Sequence, residues 1–132
     1  RSYMEHLTLP GSLVSMISYA LAERNNCTYC SAQHELSCRM LGIDEETLAA
    51  LVKDLGNVSP ERIQVIIEFA IKAGRDPKSL VAQDYEKVRR QGITNSEIVE
   101  IIMVAAAAVY GDILADALKV DVEPEVMHAL AH

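Results

Sequence analysis

Cys27-Thr28-Tyr29-Cys30-Ser31-Ala32-Gln33-His34 is a C-x-x-C-x-x-x-H motif inside a run that reads as helix. Residues three and four apart on a helix share a face. Cys27 and Cys30 then lie within one turn, near enough to close a disulfide. His34 follows one turn beyond Cys30, in position to take its proton. A nucleophile, a resolving partner and a base occupy eight residues.

The helical reading extends outward in both directions. Upstream, Pro10-Gly11-Ser12 introduces a first helix with Ser12 as the expected N-cap, and Leu13, Ile17, Ala20 and Leu21 repeat at helical spacing. Asn25-Asn26 interrupts it. The helix holding the motif is expected to start near Cys27 and stop before Gly42, which suits a left-handed cap. Asp44 caps a third helix carrying Leu48, Leu51, Val52 and Leu55, with Gly56 as its stop. Ser59-Pro60-Glu61 opens a fourth, with Ile63, Ile66, Ile67, Ala70 and Ile71, ending at Gly74. Asp76-Pro77 marks a turn. A short helix runs from about Asp84 to Gln91 and Gly92 closes it. Thr94-Asn95-Ser96-Glu97 is a capping box for a long last helix with Ile98, Ile101, Ile102, Ala105, Ala106, Val109, Ile113 and Leu118. The reading is all-α: about six helices, no strand, and one domain over 1–132.

Composition agrees. The chain has 132 residues, half of them apolar, with no Trp and one Phe, so Ala, Val, Ile, Leu and Met must fill the core. The net charge is −7. Lys87, Arg89 and Arg90 form one short basic patch, read as a solvated face, and no basic stripe for nucleic acid exists. Three cysteines make no disulfide framework, and a close pair plus a singleton fits a reducing compartment, so a cytoplasmic location is expected. The charge-free run Ile101 to Gly111 is too short for a bilayer, and no membrane partner is expected. Ala20-Leu21-Ala22 mimics a signal cleavage site, but the stretch before it is a poor basic leader, and Leu13 to Ala22 is read as core helix. The chain opens at Arg1 rather than Met, as a trimmed sequence would. Ala105 to Ala108 permits close helix approach, in a core or at a subunit interface. The acidic tail after Leu118 is a frayed end or an arm that packs on another subunit.

Two effects compete over which thiol is the more reactive. The helix N-terminus favours a Cys27 thiolate by about 0.3–1 kcal/mol. A charged hydrogen bond from His34 to Cys30 is worth about 1.5–3 kcal/mol. Spacing therefore leans to Cys30. Its thiolate attacks a peroxide O–O bond and becomes a sulfenic acid. Cys27 condenses with that, releasing water, and an external dithiol restores the pair.

The stretch Ala22 to His34, and the helix order downstream through Gly92-Ile93-Thr94-Asn95-Ser96-Glu97 to Leu114-Ala115-Asp116-Ala117-Leu118, resembles the AhpD-like alkyl hydroperoxidases. These belong to the carboxymuconolactone decarboxylase superfamily. The resemblance covers most of the chain from about Leu13. It implies an all-helical fold assembled as a trimer or hexamer. It implies peroxidase or disulfide-reductase chemistry on a hydroperoxide, with a lipoyl- or thioredoxin-like dithiol protein as reductant and no cofactor or metal. The catalytic set it implies is Cys30 as the attacking thiol, Cys27 as the resolving thiol and His34 as the proton acceptor. One departure stands out. Relatives carry a relay glutamate twelve residues before the first cysteine, and here that position is Ser15, which holds no charge at neutral pH. Glu23, Glu35, Glu68 and Glu100 are the candidates to replace it.

Rival readings are a decarboxylase-like enzyme acting on a small lactone and a non-catalytic redox-sensing oligomer. Cys38 shares a face with Cys30 and His34 and is read as a small buried hydrophobe. C-x2-C-x3-H-x3-C approximates a zinc spacing, but a continuous helix separates Cys27 from Cys38 by about 16 Å, too far for one ion. Tyr19 and Tyr29 line either a pocket or the core. His6, His128 and His132 are expected in solvent, and Glu45-Glu46 is expected to serve the dipole of its helix.

Overall fold

The computed structural model describes residues 7–132, so His6 lies outside the described residues. Among these, seven α-helices and no strand are present: α1 (Gly11–Arg24), α2 (Thr28–Met40), α3 (Glu45–Lys53), α4 (Glu61–Arg75), α5 (Ala82–Arg90), α6 (Asn95–Ala117) and α7 (Pro124–Ala131). The all-α expectation holds, and the tail supplies a seventh helix.

The chain packs around α1. Its buried residues are not confined to a stripe: Leu13, Val14, Met16, Ile17, Tyr19, Ala20, Leu21 and Ala22 all face neighbours. α2, α3, α4 and α6 pack against it. A helix apolar on every side belongs at the centre of a bundle. Arg24, in its last turn, donates from Nη1 to the carbonyls of Ala20 (2.9 Å) and Leu51 (2.8 Å). One guanidinium thus satisfies C-terminal carbonyls of both α1 and α3.

Helix ends follow the capping chemistry, with shifts. Asp44 caps α3 by accepting from Thr47 N–H at 2.8 Å, and Thr94 and Glu97 form the reciprocal box expected on α6. Ser12 is not the cap of α1, which starts two residues earlier than that cap would place it, at Gly11 behind Pro10. Likewise α4 is preceded by Pro60 rather than Ser59. α3 stops at Lys53, before Gly56, because the Asp54 side chain captures Gly56 N–H in a short 3-10 turn. α5 begins at Ala82, two residues before the expected start. Asp84 sits in its first turn and accepts from Val81 N–H at 2.8 Å. Gly42 and Gly92 adopt left-handed φ of +84° and +81°, as expected of helix stops. Gly74 does not end α4, which continues to Arg75. A Cβ there would stand 3.1 Å from Leu21 Cδ2, so the glycine lets α4 approach α1.

α6 divides its side chains more sharply than periodicity indicates. Ile98, Ile101, Val104, Ala105, Ala108, Asp112 and Ala115 are buried. Ile102, Ile113 and Leu118, apolar residues of the same stretch, are exposed. Of the alanine run, Ala105 and Ala108 enter the core and Ala106 faces out. The helix, 23 residues long with an 18-residue stretch of mean hydropathy 2.0, is long and apolar enough to cross a membrane by those measures alone, unlike the shorter charge-free run within it. Here it packs along α1, α2 and α4 as a core helix of the bundle.

Candidate active site

The chain reaches the dithiol through a Schellman turn. Asn26, in the left-handed region at φ 54°, donates to Glu23 O (3.2 Å), and Cys27 N–H donates to Ala22 O (3.0 Å). Asparagine tolerates that backbone conformation. The turn ends α1 and delivers Cys27 as the N-cap of α2 rather than a residue of its first turn. Cys27 Sγ accepts from Cys30 N–H at 3.4 Å. Two asparagines in a row thereby fix where the first thiol sits.

The two sulfurs and an Asp112 carboxylate oxygen all lie within 4.8 Å of one another, and all three residues are buried. Cys27 is fully enclosed in a small apolar cluster with Ala22, Ala115 and Tyr29. Cys27 Sγ donates to the backbone carbonyl of Asp112 at 3.8 Å. Asp112 Oδ2 accepts from Asn25 Nδ2 at 2.9 Å, whereas its Oδ1 is buried without a partner. The three donors are one fewer than a structural zinc site requires, and His34 is not in this close group. Cys38 sits apart, in the main core, as the small buried hydrophobe expected.

Cys30 lines a cavity of about 420 Å³, together with Tyr29, Gln33 and His34 of α2, Ser15 and Ser18 of α1, and Ala107, Ala108 and Gly111 of α6. That volume suits a small organic ligand. Cys27 does not line it. The sulfurs therefore differ in access: one faces the cavity and the other stands behind it.

Electrostatics run against the expected preactivated thiolate. Burial, then the Cys27 thiol and the Asp112 carboxylate, push the Cys30 thiol well above its ordinary value. Burial raises Cys27 as well, outweighing the lowering effect of the Cys30 N–H. A helix terminus stabilises a thiolate only modestly, and desolvation beside a carboxylate exceeds it. No hydrogen bond joins His34 to either thiol among the described residues. Burial lowers the His34 pKa, with the Asp112 charge opposing, so the imidazole is neutral at pH 7 and free to accept a proton.

None of the four candidate glutamates reaches the dithiol. Glu23 accepts from Ser31 Oγ at 3.1 Å, Glu35 pairs with Arg39, Glu68 borders a separate cavity beside Lys72, and Glu100 binds Thr8. The carboxylate at the thiols is Asp112, from α6. In the structure it continues the inward column Ile101, Ala105, Ala108 at spacings of three and four, where an acid is out of place, a signal readable only once the inner face of α6 is known. The tyrosines divide: Tyr29 lines the cavity, and Tyr19 lies in the core with its hydroxyl 3.4 Å from Glu23 and Glu35. His128 and His132 are exposed, as are Lys87, Arg89 and Arg90. Glu45 and Glu46 occupy the first turn of α3, where Glu45 also pairs with Arg39.

The buried dithiol beside a cavity is carried on an all-helical bundle, and solved structures share that fold. No protein-family model and no curated protein matches the chain. An uncharacterized peroxidase-related protein from a Silicibacter species superposes with a TM-score of 0.83 at 24% identity, over 91% of this chain and 63% of that one. An uncharacterized peroxidase-related protein from Ralstonia eutropha, described as an alkylhydroperoxidase AhpD core, gives 0.83 at 20% identity over 91% and 64%. A protein of unknown function from Agrobacterium tumefaciens, described as a candidate antioxidant defence protein AhpD, gives 0.82 at 17% identity over 92% and 84%. The chain thus spans less than two thirds of the length of the first two. The fold is the AhpD-like helical fold.

Proposed function

We propose that the protein is a thiol-dependent peroxidase or disulfide oxidoreductase working through a Cys27–Cys30 dithiol–disulfide cycle. The observation that carries this reading is the asymmetric access of the two sulfurs. Cys30 borders a ligand-sized cavity with a neutral imidazole on the same wall, and Cys27 is enclosed behind it. In the proposed cycle a hydroperoxide enters the cavity and Cys30 attacks its outer oxygen. The O–O bond breaks, the thiol proton passes by way of His34 to the departing alkoxide, and Cys30 becomes a sulfenic acid. Cys27 then attacks the Cys30 sulfur, forming the disulfide and releasing water. A dithiol protein of the lipoyl or thioredoxin type reduces the pair again. The reading takes the protein to act in the cytoplasm, where such reductants operate, and as a homo-oligomer.

The test is intact-mass analysis of reduced protein after one equivalent of an organic hydroperoxide, with peptide mapping. Loss of two hydrogens mapped to Cys27–Cys30 is expected. Cys30→Ser abolishes peroxide consumption, and Cys27→Ser stops at one sulfenylation without an internal disulfide. Peroxide consumption that survives the loss of Cys30 overturns the reading. The raised thiols and the uncharged Ser15 favour one rival, a redox sensor that oxidises once without turnover. Multiple turnovers with a dithiol reductant exclude it, and a single oxidation establishes it.

A further inference from the structure

We infer that Asp112 is the base of the resolving step: its carboxylate takes the proton from the Cys27 thiol as the disulfide closes, and Asn25 holds it in place. The inference rests on the dithiol cycle proposed above but concerns a residue outside the Cys-Cys-His motif.

Closing the disulfide requires Cys27 to lose a proton. Cys27 is fully enclosed and does not border the cavity, so water and His34 serve Cys30 rather than Cys27. An acceptor must therefore lie on the inner side. Asp112 meets each requirement. Its carboxylate is in the same cluster as both sulfurs, and its backbone carbonyl receives the Cys27 thiol. One carboxylate oxygen is engaged by Asn25 Nδ2, which fixes the plane of the group. The other, Oδ1, is buried and has no partner. An unpartnered buried oxygen is costly to keep, and a group arranged to receive a proton during a reaction is one explanation for it.

In the step, the Cys27 sulfur attacks the Cys30 sulfur. The Cys27 S–H bond breaks and its proton goes to Asp112 Oδ1. The S–S bond forms, and the group on Cys30 leaves with the bonding electron pair. When that group is hydroxide, the proton passes on from Asp112 and water is released. On reduction the incoming dithiol gives up a proton as it attacks the Cys30 sulfur, and Asp112 relays that proton to Cys27 as Cys27 departs from the disulfide. The titratable groups around Asp112 are Cys27, Cys30 and His34 from the α2 side, and Asp116 one turn along α6, whose carboxylate also approaches Cys27. α1 presents Val14, Ser15 and Ser18 to the adjoining cavity, none of them charged.

An aromatic disulfide reagent tests this without peroxide. Attack by Cys30 releases one coloured thiolate and leaves a mixed disulfide. Attack by Cys27 then releases a second, and that phase reports the resolving step. Asp112→Asn is expected to slow the second phase at least about tenfold and leave the first within about twofold. Its second-phase rate should also climb with pH more steeply than the parent's, because Cys27 must then reach its thiolate without an adjacent base. Asp116→Asn separates the two carboxylates. Slowing there, with Asp112→Asn unaffected, overturns the assignment. Should Asp112→Asn fail to fold, Asn25→Ala decides: a slower second phase supports the inference and an unchanged one overturns it. A parent that closes its disulfide with the reagent but ignores hydroperoxides refutes the peroxidase reading and leaves Asp112 in its role.

Discussion

His34 is half-buried, makes no hydrogen bond to a thiol, and has its pKa drawn below the ordinary 6.5 by loss of solvent. The same burial that keeps it neutral makes it a liability in acid. A group whose pKa is lower in the folded than in the unfolded state supports folding above its unfolded value and loses that support as pH falls. Between pH 6.5 and the lowered folded value, the unfolded chain binds a proton that the folded chain refuses. Denaturant midpoints of the parent should therefore fall as pH drops below 6.5. His34→Gln should remove part of that slope and leave stability at pH 7.5 nearly unchanged. Equal slopes in the two proteins would show that the imidazole is solvated. At this scale the motif residues were legible because spacing on a helix dictates adjacency. Asp112 was not, because its relation to Cys27 crosses eighty-five residues of chain and depends on how α6 is rotated against α2.

At the scale of elements, capping chemistry was the readable part. The Thr94–Glu97 box, the Asp44 cap and the glycine stops at Gly42 and Gly92 are local, and local sequence specifies them. Gly74 was misread as a stop because its use, admitting Leu21, is a tertiary fact. The tail was unreadable for a related reason. α7 has eight residues and no buried side chain, so it is too short to hold itself helical and depends on docking. It folds back on α2 of its own chain. Glu123, just ahead of α7, accepts from Tyr29 Oη at 3.1 Å and from Gln33 Nε2 at 2.6 Å. Both partners are on the cavity wall, so the tail buttresses the site. Glu123→Ala should loosen α7 by about 1 kcal/mol, the usual net worth of such bonds. Hydrogen exchange should speed in Val126 to Ala131, with the melting temperature of the bundle shifted little. Unchanged exchange there would mean that apolar contact alone docks α7.

For the whole molecule, the unresolved question in the sequence was what the apolar surplus of α6 is for. Periodicity located an apolar helix but did not tell its inner face from its outer one, because both are apolar. The structure buries one face and leaves Val99, Ile102, Met103, Tyr110, Ile113 and Leu114 outside, a seam repeating every three to four residues. Tyr110 is 67% exposed and Ile113 62%, far more than a monomer surface needs to display side by side. Ala107 and Gly111, between these residues along the helix, line the cavity. A second copy seated on the seam would therefore also wall the entrance to Cys30, which joins assembly to the proposed chemistry. Light scattering of the parent should give a multiple of the 14.5 kDa chain mass. Met103→Glu with Ile113→Glu places charges on the seam without touching the buried face, so it should give a folded monomer with parent-like helical circular dichroism. It should also expose Cys30 to alkylation several-fold faster, since the roof is gone. A parent that runs as a monomer at every concentration would remove the oligomer from the proposal and leave the seam for a different partner.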